Sequence, residues 1–167
     1  MSANQNDVIT GGIDYTIARV DDNNYPLFDD MVFFRMNQRE RTAEERLAPR
    51  DFSEEIYALG NPSLYVYAAC VSSRFIGWIS IVYIPKVGKT KGKGHMFIDE
   101  LWVNPAFRRK GIAAALMQKA DALSREKHQL GVRLYVRADN PEALSLYIKS
   151  GFSKLNQTVF MEKEADS

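Results

Sequence analysis

The chain has 167 residues, of which 46% are hydrophobic and 26% are charged. This is the length and composition of one globular domain with a full hydrophobic core. The formal net charge of +1 argues against binding through overall charge, so we expect no nucleic acid and no membrane partner. A single cysteine, Cys70, and no apolar stretch of spanning length lead us to expect a cytoplasmic protein. The two histidines lie apart in polar turns, so we expect no metal site.

The first part of the chain reads as a polar tail, a strand and a helix. Residues 1–12 are polar and end in two glycines, which predicts a flexible tail ahead of a single domain at residues 13–163. Alternating apolar residues predict a strand over Ile13–Val20. A run of capping residues then precedes a helix that we expect from about Tyr25 to Asn37.

A second helical segment and a hairpin follow. Thr42 and Glu45 match a capping box, which predicts the start of a short second helix. Pro49 interrupts this helix, which can restart soon afterwards. The apolar runs Leu64–Val71 and Phe75–Ile84 predict the two strands of a β-hairpin.

Two charged segments flank these strands. The acids of the helical segment suit a cationic ligand; they are Asp29, Asp30, Glu40, Glu44 and Glu45. Residues 85–94 contain four lysines among one proline and three glycines. We interpret this second segment as a solvated hairpin loop in preference to a contact with an anionic ligand.

The run Phe97–Val103 is apolar almost throughout and ends at an Asn-Pro pair, which predicts a strand. Apolar residues on both sides of the strand favour a central position with both faces covered. Asp99 and Glu100 interrupt the run, and two carboxylates are costly to bury there without partners. Adjacent side chains of a regular strand point to opposite faces, so only one acid can face a common site unless a bulge intervenes.

A basic glycine turn, Arg108–Gly111, follows the strand and leads into a helix expected to reach about Glu126. The N-terminus of a helix presents unpaired N–H groups and the positive end of the helix dipole, so this turn predicts an anion site. A P-loop is absent because Lys110 precedes the glycine and no Ser or Thr follows. A dinucleotide fingerprint would need three glycines, and this turn has one.

The last part of the chain predicts a strand, a helix and a terminal hairpin. Val132–Arg137 alternates as a strand. Asn140 can cap a helix that carries Tyr147 on one face and ends at Gly151. Residues 152–155 and 158–162 would then form a short hairpin.

Two motifs in this half resemble the signatures of the GNAT superfamily of acyl-CoA-dependent N-acetyltransferases. The first is Arg108-x-x-Gly111-x-Ala113, and the second is Asn140-x-x-Ala143-x-x-x-Tyr147 followed by Gly-Phe. The resemblance is close over residues 97–152. It implies an α/β (α+β) fold with a mixed, twisted central sheet of about seven strands and helices on both faces. In that fold, acetyl-CoA lies where the fourth and fifth strands splay apart.

The resemblance also assigns roles to residues. In similar diamine acetyltransferases the first of two paired acids is the proposed base, which favours Asp99 over Glu100, and Tyr147 would protonate the leaving thiolate. No metal is implied. Acetyl-CoA would contact Leu101, Trp102, Val103, Arg108, Arg109, Lys110, Gly111, Ile112, Ala113, Ala114, Asn140 and Tyr147.

The function expected from this resemblance is transfer of acetyl from acetyl-CoA to a primary amine of a small molecule, such as a polyamine or an aminoglycoside. The alternatives are acetylation of a peptide or protein amine, and an acyl-CoA-binding module without catalysis. Enzymes that acetylate ribosomal-protein N-termini carry a glutamate base where this chain has Tyr135, which counts against that acceptor. A homodimer is left open.

Overall fold

The computed structural model describes residues 8–10, 13–88, 90–155, 159 and 161–163. The chain forms two compact units, residues 1–133 and 134–167. Within these residues six strands form one sheet in the order of the chain, and each of the first four is antiparallel to the next. They are β1 (Val8–Thr10), β2 (Ile13–Arg19), β3 (Leu64–Val71), β4 (Arg74–Ile84), β5 (His95–Val103) and β6 (Val132–Leu134).

The helices are α1 (Tyr25–Asn37), α2 (Ala43–Leu47), α3 (Ser53–Leu59), α4 (Ile112–Glu126) and α5 (Pro141–Lys149), with a 3-10 helix at Pro105–Phe107. In the first unit α1 packs against β4, and α4 packs against β3, β4 and β5. The neighbouring β4 residues Trp78 and Ile79 point to opposite faces, yet they are only 2% and 0% exposed. Both faces of the sheet are therefore covered at β4, as the α/β prediction requires.

Local sequence signals explain where the first helices begin and end. Thr42 Oγ1 accepts a hydrogen bond from Glu45 N, and Glu45 Oε2 accepts one from Thr42 N, which completes the predicted capping box of α2. Helix α1 has Pro in its first turn and is followed by its C-cap Gln38, whose φ of 55° is left-handed. The bounds of α1 agree with the prediction from sequence.

The structure differs from the prediction at both ends of the chain. Three residues of the expected tail form β1, because Val8, Ile9 and Thr10 are β-branched and pair with the start of β2. Residues 152–155 form no strand, since the Phe152 N–H is used to end α5. The second half of the predicted hairpin, 158–162, lies partly outside the described residues. Within the described part of the chain the sheet therefore has six strands, where about seven were expected.

Candidate active site

Strand β5 carries a β-bulge at its two acids. Ser80 of β4 pairs with Glu100, and the next residue, Ile81, pairs with Ile98, so Asp99 is an extra residue in the ladder. The Glu100 N–H donates a hydrogen bond to Ser80 Oγ at 3.0 Å. A bulge of this kind bends the strand and re-aims a side chain. In a regular strand two neighbouring side chains point to opposite faces. The bulge removes this restriction, so that Asp99 and Glu100 can both lie near one site.

Glu100 is tied to α1. Its Oε1 accepts a hydrogen bond from Nη1 of Arg35 at 2.9 Å. The guanidinium of Arg35 also lies over the ring of Trp78, 4.9 Å from the centroid, within the range of a cation–π contact. The negative charge of Glu100 is thus compensated by a residue of the neighbouring helix.

Asp99 is different, because its side chain is exposed. Among the residues that the structure describes, its carboxylate makes no hydrogen bond and no ion pair. Of the two predicted acids, Asp99 is therefore the one available to accept a proton.

Aromatic side chains support the strand behind the bulge. Trp102 of β5 lies opposite Trp78 of β4, with ring centroids 5.1 Å apart, and Phe28 of α1 meets Trp78 edge-on at 5.5 Å. Leu101 is half-buried and Val103 is buried. These contacts hold the backbone of β5 in place, which is what a strand must provide if its N–H groups are to bind a ligand.

The turn after β5 is fastened to the strand it leaves. Asn104 Oδ1 accepts a hydrogen bond from the N–H of Ala106 at 3.0 Å, which starts the 3-10 helix. Arg108 Nε donates to the carbonyl of Val103 at 3.1 Å. Arg109 and Gly111 both have positive φ, 63° and 79°, and the glycine adopts this conformation without strain.

Gly111 is the N-cap of α4, and it offers no side-chain cap to the helix. The first turn of α4 contains no acidic residue, so its unpaired N–H groups and the helix dipole favour an anion. Ile112 is buried, while Ala113 and Ala114 are half-buried small residues that let a ligand approach the backbone. With Arg109 exposed and Lys110 half-buried beside it, the turn suits the diphosphate of a nucleotide.

In the second unit, Asn140 caps α5 as predicted. Its Oδ1 accepts a hydrogen bond from the Ala143 N–H at 3.1 Å. Pro141 occupies the first helical position, where no backbone N–H is required. Asn140 itself is exposed, so the amide nitrogen of its side chain is accessible for a ligand.

The Gly-Phe pair at the end of α5 fixes Tyr147. Gly151 has a φ of 89°, and its N–H donates to the carbonyl of Ile148. The Phe152 N–H donates to the carbonyl of Tyr147, and their ring centroids lie 6.0 Å apart. This is a Schellman motif with its hydrophobic contact. Burial raises the pKa of the Tyr147 phenol above its usual value, so the phenol keeps its proton at neutral pH.

Most of the acids expected to suit a cation are already paired. Four of the five form ion pairs with arginines: Asp29 with Arg41 and Arg50, Asp30 with Arg41, Arg46 and Arg50, Glu40 with Arg46 and Arg74, and Glu45 with Arg39. Of these acids, Glu44 alone has no ion pair within the described part of the chain. The prediction of a cation-binding acidic surface on α1 and α2 was therefore wrong, because neighbouring arginines neutralise it.

Sequence reasoning did not identify Arg35 and Ser80, which hold Glu100 from two sides. Arg35 lies 65 positions from Glu100, and no local pattern connects them. Among the described residues, no cluster of three or more His, Cys, Asp or Glu side chains could hold a metal ion. Of the helices described, none is long and apolar enough to cross a membrane.

These features define a class of protein. A bulged, acidic strand leads through a basic glycine turn into a helix without a side-chain cap. Such an arrangement suits an anionic ligand at the turn and presents a carboxylate on the strand that precedes it.

Comparison with known proteins identifies the class. Residues 30–152 match the Acetyltransferase (GNAT) family. The chain therefore belongs to this family, which confirms the predicted class of acyl-CoA N-acetyltransferase.

Individual relatives agree with this assignment. The spermidine N(1)-acetyltransferase of Thermoplasma acidophilum is 27% identical over 133 residues, which cover 77% of this chain and 74% of that protein. The mycothiol acetyltransferase of Amycolatopsis mediterranei is 28% identical over 100 residues, which cover 59% of this chain and only 29% of that protein. An aminoglycoside acetyltransferase from an uncultured soil metagenomic sample shares the fold, with a TM-score of 0.74, 18% identity and coverage of 91% and 97% of the two chains.

Proposed function

We propose that this protein transfers acetyl from acetyl-CoA to a primary amine of a small molecule of the polyamine or aminoglycoside class. The observation that carries the proposal is the bulge, where Asp99 has no ion pair among the described residues while Arg35 holds Glu100. The names of the relatives support a small amine as the acceptor.

Acetyl transfer first requires a neutral amine. An alkyl ammonium with a pKa near ~10.4 is only about 0.1% neutral at pH 7.4, which adds roughly 4 kcal/mol to the barrier. In the proposed mechanism Asp99 accepts this proton, directly or through a water molecule. The amine nitrogen then forms a bond to the carbonyl carbon of the thioester.

The remaining steps stabilise the oxyanion and release the thiol. Backbone N–H groups of β5 around Leu101 and Val103 are proposed to bind the acetyl carbonyl and the pantetheine arm. The carbon–sulfur bond breaks as the carbonyl re-forms, and Tyr147 is proposed to give its proton to the departing thiolate. The N–H groups at Gly111–Ala114, with Arg108–Lys110 and Asn140, are proposed to hold the remainder of acetyl-CoA.

The test is release of CoA thiol from acetyl-CoA in the presence of single amines. The panel contains spermidine, an aminoglycoside, simple alkyl amines and a lysine peptide, with products identified by mass spectrometry. Turnover with small amines supports the proposal, whereas turnover with the peptide alone would favour a protein acceptor. Binding of acetyl-CoA without turnover on any acceptor would favour a non-catalytic module.

Gly111→Val tests the proposed cofactor site. A β-branched residue is strained at a φ of 79° and places a side chain against the helix N-terminus. We expect acetyl-CoA to bind at least about tenfold more weakly by calorimetry. An unchanged affinity in a folded variant would contradict the proposed site at the turn.

A further inference from the structure

The ion pair between Arg35 and Glu100 lies at the edge of the bulge that carries Asp99. The side chains of Arg35 and Glu100 are 35% and 46% exposed, so a dissolved ligand can reach both. Arg35 is held in this position from a second side by the ring of Trp78. The position of the guanidinium is therefore fixed by two contacts.

The pair determines how much negative charge an incoming amine meets. Asp99 and Glu100 are adjacent, and neighbouring Cα atoms are about 3.8 Å apart. Without a counterion at Glu100, a short diamine could place one ammonium at each carboxylate. With Arg35 present, only Asp99 is uncompensated among the described groups of the bulge, and a second ammonium would meet a guanidinium of the same sign.

We propose that Arg35 is a specificity-determining residue that disfavours acceptors with a second ammonium close to the reacting nitrogen. The inference rests on the proposed function and narrows its substrate class. Within the polyamine and aminoglycoside class, the preferred acceptors are those whose other positive charges are remote from the nitrogen that is acetylated. The role of Arg35 is to cancel the charge of Glu100, and it takes no part in proton transfer.

The test compares two acceptors of equal length, propylamine and 1,3-diaminopropane. The quantity measured is the ratio of kcat/KM for the diamine to kcat/KM for the monoamine. In Arg35→Met we expect this ratio to rise at least about fivefold, because one added ion pair with charges about 4 Å apart in water has an effect of this size. Exposed ion pairs contribute little to folding, so the variant should remain folded. Arg35→Lys keeps the charge and should keep the ratio of the parent.

Two further variants separate charge from structure. Arg35→Met combined with Glu100→Gln removes the freed carboxylate and should return the ratio to that of the parent. Arg39→Met is the matched control, because Arg39 also lies 4.9 Å from an aromatic ring, that of Phe33, and pairs with an acid, Glu45. This variant should leave the ratio unchanged.

An unchanged or lower ratio in folded Arg35→Met would overturn the inference. The inference would also be overturned if Arg39→Met raised the ratio equally, since the change would then reflect the loss of any nearby positive charge. Calorimetric binding of both amines in the presence of desulfo-CoA, which cannot transfer acetyl, gives a second measure of the ratio. If no variant acetylates any amine, the proposed function fails, and the calorimetric ratio decides the role of Arg35 alone.

Discussion

Carboxylates occupy two different settings in the first unit. On α1 and around α2, Asp29 and Asp30 share three arginines, and their side chains are only 22% and 21% exposed. At the bulge of β5, Asp99 is exposed and unpaired among the described residues. Partly buried acids need counterions because removal from water is costly, whereas a hydrated acid does not.

The comparison shows that charge on a helix face is a poor indicator of an amine-binding surface. Acids and arginines alternate along residues 29–50, and they neutralise one another when the helices pack. The acid that we propose as the general base is marked by a different feature, an irregularity in the pairing of two strands. Within this unit, the location of an acid is more informative than its type.

The strongest test of the comparison is Asp99→Asn. We expect kcat/KM for the amine to fall about 10²–10³-fold, because the variant loses a general base. The loss should be greatest at low pH, where more of the amine is protonated, while the affinity for acetyl-CoA should stay near that of the parent. The measurement is a pH profile of steady-state rates with calorimetry on both proteins.

Glu100→Gln serves as the control for this experiment. Because Glu100 is already paired with Arg35, loss of the Glu100 charge should change the rate with a monoamine much less than Asp99→Asn does. If Glu100→Gln produces the larger loss and Asp99→Asn does not, the roles assigned to the two acids are reversed.

Tyr147→Phe extends the comparison to a group that must keep its proton. Burial raises the pKa of Tyr147, so the phenol remains a proton donor up to and beyond its usual pKa near ~10. The thiol of CoA has a pKa near ~8.5 and leaves readily, so we expect only about a 10–10²-fold lower kcat. Thermal unfolding should change little, because the ring and its contact with Phe152 remain.

The opposite pattern would identify Tyr147 as a structural residue. A parental kcat over the whole pH range, together with a lower melting temperature, would exclude the role of proton donor. If Tyr147 is the proton donor, kcat of the parent should decline only above pH ~10, where a phenol of raised pKa begins to ionise.

Much of this site is local and could be predicted from sequence. The start of α4 at Ile112, the cap at Asn140 and the left-handed Gly151 follow from residues within four positions of one another. Each depends on backbone conformations that particular residue types favour. The turn and both signature helices were therefore confirmed where the sequence predicted them.

The bulge and its counterion could not be predicted in the same way. Whether Asp99 is an extra residue depends on the register between β4 and β5, which only the paired strands define. The partner of Glu100 comes from α1, far away in the sequence. The strand at Val8–Thr10 and the absence of a strand at residues 152–155 were missed for a related reason, since a short strand forms only where a neighbouring strand is available.

The paired acids can be tested through stability. Asp29→Asn removes a charge that contacts Arg41 at 2.9 Å and Arg50 at 2.6 Å. Both arginines are largely buried, so we expect a loss of about 1–2 kcal/mol, or about 3–6 °C in melting temperature. Activity per folded molecule should be retained. The control is Glu44→Gln, an exposed acid without an ion pair in the described structure, which should leave the melting temperature unchanged.

The smallest expected effect concerns Glu45, the half-buried acid of the capping box. The guanidinium of Arg39 and then the N–H of Thr42 lower the pKa of Glu45 from the usual 4.5 to about 2. Because the pKa is lower in the folded state, the stability it adds is complete above pH ~5 and is lost as the pH falls towards 2.

Glu45→Gln keeps an oxygen that can accept from Thr42 and removes the charge that Arg39 contacts. Its melting temperature should therefore fall less than that of the parent between pH 5 and pH 2, and the difference should be slight because the pair is exposed to solvent. Thermal unfolding at pH 7, 5, 3 and 2 measures this. Parallel curves for the two proteins would mean that the cap is too frayed to hold the carboxylate, and a steeper decline in the variant would reverse the sign of the linkage.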